Sequence, residues 1–150
     1  MTVWLSPSQG RTWLNYMSVY HRLEYEMNRH LQAECGLSFA DYTVMNALSV
    51  APGRRTRLSQ LAITIGWERS RLSHHLGRME KRELIRREEC LTDNRGAEVV
   101  LTPAGLAAFQ EATRPHLRDI REIFVDALTP DQLEAAGQIA AALRAHLVRE

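Results

Sequence analysis

The chain has 150 residues, 45% hydrophobic and 25% charged, with a formal net charge of +1 and two cysteines. That length supports one well-packed domain, or one domain whose helical extensions pack on a second copy, and disfavours two independent domains. The balance of charge conceals a division: residues 54–95 hold eleven basic and six acidic residues, leaving eight basic and twelve acidic elsewhere. A basic module between acidic arms fits a nucleic-acid partner.

In chain order, an irregular lead to Gly10 gives way to Trp13, Tyr16, Met17, Tyr20, Leu23, Met27 and Leu31, which recur at three- and four-residue steps. This predicts a long amphipathic helix that stops at Cys35-Gly36. Ser38 and Asp41 form a capping-box pattern for a second helix with Tyr42, Met45, Leu48 and Ser49 on its apolar face, ended by Ala51-Pro52-Gly53. Arg57 and Leu58 allow a one-step strand. Leu58, Leu61, Ala62 and Ile65 then give a short helix its buried side, and Gly66 a turn.

Over 68–82 a helical wheel puts Leu72, Leu76 and Met79 inward and a face rich in Arg, Ser and His outward. Segments 84–90 and 97–101 read as two short strands joined by Asp93, Asn94, Arg95 and Gly96. Thr102-Pro103 and Thr129-Pro130 are matched helix starts, predicting helices over 103–127 and 130–147, the first kinked by Pro115.

That order is helix, turn, helix, two-stranded wing and new helix: a winged helix-turn-helix over 37–101, flanked by helices at 11–35 and 103–148. The fold class is mainly α with a small β wing, in a single domain spanning 1–150. The flanking helices carry apolar residues, among them Leu117, Ile120, Phe124, Ile139, Leu143 and Leu147, that the small centre cannot cover. They predict a homodimer.

The outward face of the second reading helix supplies the DNA-binding candidates Arg69, Ser70, Arg71, Ser73, His74, His75 and Arg78. Arginine pairs with guanine in the major groove, while Ser and His bond base edges or phosphates. Arg69 and Arg71, near the helix start, are the expected base readers. Arg54, Arg55, Arg86 and Arg87 are expected on phosphates or in solvent. Asn94 and Arg95 at the wing tip complete the set.

The stretch from Leu58 to Gly105, and above all Asp93, Arg95, Leu101, Thr102 and Gly105, resembles the MarR-type bacterial transcriptional regulators. The resemblance runs from about Gly10 to Leu147. It implies a regulator, expected to be a ligand-responsive repressor, binding a pseudo-palindromic operator in double-stranded DNA as a homodimer. It also implies minor-groove insertion of Arg95, with Asp93 supporting the wing, and a small aromatic or phenolic effector. Trp13, Tyr16, Met17, Tyr20 and His21 are the candidate ligand-binding residues, with packing in the core or dimer interface as the alternative. Two departures stand out: Glu83 where the pattern has Gly, and Glu68 at the usual Ser-like cap. The competing function is a DNA-architectural winged-helix protein without effector control.

Other classes find less support. No nucleotide-binding glycine motif, nucleophile elbow or His-Glu-x-x-His is present, so neither catalytic residues nor a cofactor are expected. Cys35 and Cys90 lack Cys-x-x-Cys spacing and read as free thiols. His21, His30, His116 and His146 are scattered, so no metal site is expected. Apolar runs are short, and the N-terminus has no signal-peptide pattern, predicting a soluble cytoplasmic protein with no membrane partner.

Overall fold

Ser6, rather than Gly10, sets the start of the first helix. In the computed structural model, which describes residues 4–89 and 96–148, the Gln9 amide donates to the Ser6 hydroxyl and the Ser6 amide donates to the Gln9 side chain. With Pro7 presetting the first turn, helix α1 (Pro7–Cys35) begins earlier than its periodicity predicted. Gly36, at φ 65°, closes it. Helix α2 (Phe39–Val50) opens on the expected Ser38–Asp41 capping box.

A 3₁₀ turn (Pro52–Arg54) leads into β1 (Arg55–Arg57), then α3 (Leu58–Ile65) and α4 (Arg69–Lys81), separated by Gly66 at φ 72°. Strands β2 (Ile85–Glu89) and β3 (Ala97–Leu101) pair antiparallel, and β1 adds to the far side of β3. Leu31, Leu48, Leu61, Leu72, Leu76 and Met79 meet Ile85 and Val99 in one core. It is closed by α2, α3, α4 and the sheet, with α5 (Pro103–Ile120) laid across it.

The junction of sheet and α5 explains the Leu-Thr-x-x-Gly pattern. Thr102 accepts from the Gly105 amide and donates to the Glu83 carbonyl at 2.6 Å, so one hydroxyl caps α5 and ties it to the end of α4. A Cβ on Gly105 would stand 2.0 Å from the Leu84 carbonyl oxygen. Only glycine permits that approach.

Glu83 has φ 62°. It occupies the left-handed position of a Schellman-type close, with its amide bonded to the Glu80 carbonyl and the Leu84 amide to that of Met79. The helix therefore ends as a glycine would end it, against a steric cost of about 1 kcal/mol. Glu68 precedes α4 without a side-chain cap.

Helix α5 continues in α geometry through Pro115. Irregularity comes later, where residues Arg121–Val125 widen into a π-turn before α6 (Pro130–Leu147), which opens on the Thr129–Gln132 capping box. Helix α6 buries none of its residues. Trp13, Tyr16 and Val19 on α1, Leu117 on α5, and Ile139 and Leu143 on α6 all stand exposed. No helix among the described residues is long and apolar enough to cross a membrane.

Candidate nucleic-acid interface

Helix α4 presents different surfaces around its circumference. Leu72, Leu76 and Met79 are fully buried. Ser70 and Lys81 lie on the outside, and Arg69 is exposed at the N-terminal end. Toward β2, the Ser73 carbonyl accepts from the Arg87 guanidinium, which also meets Glu80 at 3.2 Å. Toward the α1–α2 junction, Arg71, His74, Arg78 and Arg82 line a cleft of about 470 Å³ with Trp67 and Asp41.

His75 is a correction to the sequence reading. Its side chain is buried beneath that cleft, with Nε2 2.9 Å from Asp41 Oδ1, a close contact poorly aligned for a hydrogen bond. Its ring also meets Trp67 edge-on. The residue helps attach α4 to α2 and is not displayed on the outer face. Its position, three after Leu72 and four before Met79, already belongs to the inward stripe.

Asp41 is the centre of this attachment. Its Oδ2 accepts from Arg82 at 2.7 Å and from the Ser38 amide at 2.9 Å, while Arg82 also donates to the Gly36 carbonyl at 2.9 Å. Asp41 thus joins the start of α2 to the middle and the end of α4, and Arg82 extends the link to the end of α1. Burial alone pushes the Asp41 pKa up. The contacts from His75, the Ser38 amide and Arg82 outweigh burial and hold the carboxyl far below the usual range.

Several basic residues are engaged within the protein. Arg55 meets Glu98 at 2.7 Å as well as Glu88, and Arg86 meets Glu88 at 2.7 Å, binding the three strands together. With Arg87 on Glu80, three of the four arginines expected on phosphates or in solvent are paired within the protein. Arg69, Arg71, Arg78 and Lys81 have no carboxylate partner among the described residues. Arg71 instead lies over the Trp67 ring, 4.2 Å from its centroid, and Arg78 approaches His75 Nδ1 at 3.2 Å. Asp93, Asn94 and Arg95 lie outside the described residues.

The five ligand candidates do not converge. Trp13 and Tyr16 share an apolar groove of about 450 Å³ with Ile139 and Leu143 of α6. Tyr20 lines a separate cavity of about 250 Å³ with Glu24, Phe39, Trp67 and Arg71. His21 packs against Tyr20 edge-on, and Met17 is half-buried on α1.

A two-helix reader with a three-stranded wing defines a winged-helix DNA-binding protein. Among solved structures, AbsC from Streptomyces coelicolor, a MarR family transcriptional regulator, is 34% identical over 97% of this chain and 98% of its own, with a TM-score of 0.86. Sco3205 from the same organism, another MarR family regulator, solved in complex with DNA, is 31% identical over 100% and 94%, with a TM-score of 0.91. The organohalide-sensing regulator RdhR-CbdbA1625, in its 2,4-dichlorophenol-bound form, shares the fold at 21% identity, covering 97% and 89%, with a TM-score of 0.82. No protein-family model and no curated protein matches the sequence. The chain belongs to the MarR family of transcriptional regulators and is a DNA-binding regulator.

Proposed function

We propose that the protein is a homodimeric repressor that places α4 of each copy in successive major grooves of a pseudo-palindromic operator. The observation that carries this reading is the cation-rich face of α4, held at a fixed attitude by Asp41 and Arg82. Arg69 and Ser70, exposed at the start of that helix, are the base readers, and Arg95 enters the minor groove beside them. The DNA-bound Sco3205 supports the same use of the fold.

Dimerisation follows from the apolar faces of α1, α5 and α6, which the chain leaves uncovered. An effector fits the cavity beside Tyr20, Phe39 and Trp67, where a small aromatic ring would touch both α1 and Arg71. The dichlorophenol bound by the similarly folded RdhR-CbdbA1625 supports that ligand class.

Sedimentation and footprinting test the reading together. A dimer at micromolar concentration should protect two half-sites about one helical turn apart. A folded monomer, or uniform protection of any sequence, would overturn it in favour of an architectural role.

A further inference from the structure

We propose that the cavity between α1, α2 and the turn into α4 takes a small aromatic zwitterion of the amino-acid type, with its ammonium on Glu24 and its carboxylate on Arg71. The inference rests on reading this cavity as the effector site. It narrows the occupant from any small aromatic ring to one that carries both charges.

Size and charge are the first argument. The cavity holds about 250 Å³, below the range of roughly 300–1,000 Å³ that drug-sized ligands occupy. One ring with short polar arms is therefore the right scale, and Tyr20, Phe39 and Trp67 supply aromatic surface for the ring. Two opposite charges line the same space, half-buried Glu24 from α1 and Arg71 from α4. They form no ion pair with each other, and neither has an oppositely charged partner among the described residues. An occupant with only a carboxylate would set it near the Glu24 carboxylate with nothing to offset the repulsion. One with only an amine would meet Arg71 in the same way, and a neutral phenol would answer neither charge. A zwitterion answers both, so the pair selects by repulsion as well as by attraction.

The polar groups at the two ends are the second argument. Toward α1 and α2, the Thr43 hydroxyl donates to the Phe39 carbonyl at 2.8 Å. Its oxygen is left to accept, so Thr43 and Glu24 together offer an ammonium acceptors only. Tyr20 and Phe39 add rings of the kind that attract a cation. Toward α4, the Gly66 and Trp67 amides are engaged by the Ile63 and Ala62 carbonyls at 3.2 and 3.0 Å. Arg71 is the cationic donor of that wall. Its guanidinium lies over the Trp67 ring, 4.2 Å from the centroid, and holding it there lowers the entropy lost when a carboxylate arrives. A guanidinium then takes the carboxylate through paired N–H groups. An occupant joined to Glu24 and Arg71 bridges α1 to α4, and so acts on the helix assigned to DNA.

Four probes that share one ring and differ in charge provide the test, titrated calorimetrically into the free protein: L-phenylalanine, phenethylamine, benzoate and phenol. Phenylalanine should bind about tenfold more tightly than each of the others, and at saturation it should weaken operator binding. Glu24→Gln should weaken phenylalanine and phenethylamine by about tenfold and leave benzoate unchanged or tighter. Arg71→Gln should weaken phenylalanine and benzoate by about tenfold and leave phenethylamine unchanged or tighter. Melting curves confirm that both variants are folded.

If any other probe binds wild type as well as phenylalanine, or if Glu24→Gln weakens all four alike, the zwitterion assignment is overturned while the effector cavity stands. If phenylalanine binds as expected without changing operator affinity, the zwitterion site stands and its control of DNA binding falls. If none of the four saturates below about 10 mM, both the effector reading and the zwitterion assignment are overturned.

Discussion

Leu72, Leu76 and Met79 on α4 are fully covered by their own chain, whereas the longer α6 buries none of its residues. Both helices are amphipathic and both end the same way in sequence terms, with basic residues in the last turn. The difference lies in what each apolar stripe meets. Helix α4 is enclosed by α2, α3 and the sheet, and it is fastened to Asp41 by a contact from His75, 34 residues away, and by an ion pair from Arg82, 41 residues away. Helix α6 meets α1 across an open groove. Among the described residues the α4 stripe is covered within one chain, and the terminal helices leave their apolar faces exposed. Stability and assembly can therefore be perturbed separately.

The largest expected separation comes from Gly105→Ala. With the Leu84 oxygen only 2.0 Å from the added carbon, α5 must shift off the sheet, at a cost of about 3 kcal/mol or more. Denaturant unfolding should show the loss, and comparable alanine changes at exposed Gly137 on α6 should show none.

Asp41→Asn should cost roughly 2–4 kcal/mol, because it leaves Arg82 and buried His75 without their shared charge. The pH dependence has a definite sign. A carboxyl whose pKa is lowered by folding stabilises the protein above its unfolded pKa, near 4, and loses that contribution as pH falls toward the folded value. The gap between wild type and variant should be constant from pH 7 to 5 and narrow below about pH 4. A gap that stays constant down to pH 2 would show that the charge of Asp41 is irrelevant.

The smallest effect sharpens the comparison most. Thr102 and Thr129 both precede proline and cap a helix, yet Thr102 also donates to the Glu83 carbonyl. Thr102→Ala should cost about 1–2 kcal/mol of global stability, while Thr129→Ala should cost about 1 kcal/mol or less, confined to α6. Hydrogen exchange reads both, and equal global losses would contradict the division between module and ends.

Most of the element order was legible because its signals are local: capping boxes at Ser38 and Thr129, glycine at 36 and 66, and apolar spacing along α4. The start of α1 was equally local, since Ser6-Pro7 with Gln9 repeats the pattern at Thr129, but Gly10 was read as an end. His75 was misplaced because its polar identity outweighed a spacing that marked it as inward. The Asp41–Arg82 pair and the stacking of Arg71 on Trp67 depend on which surfaces meet after folding. Periodicity along one helix cannot report that. The same limit scattered the ligand candidates, since Trp13 and Tyr16 face α6 while Tyr20 lies by Trp67.

Glu83 carries an evolutionary consequence. Its left-handed backbone closes α4 without help from its side chain, which is exposed and is not among the residues fastening that helix. Glutamate and glycine codons differ by a single nucleotide, so a firmer helix end lies one mutational step away. That reserve, on the order of 1 kcal/mol, is enough to offset an average destabilising substitution elsewhere. Lineages that take the step could then accept destabilising changes on the neighbouring exposed face of α4 while the domain stays folded.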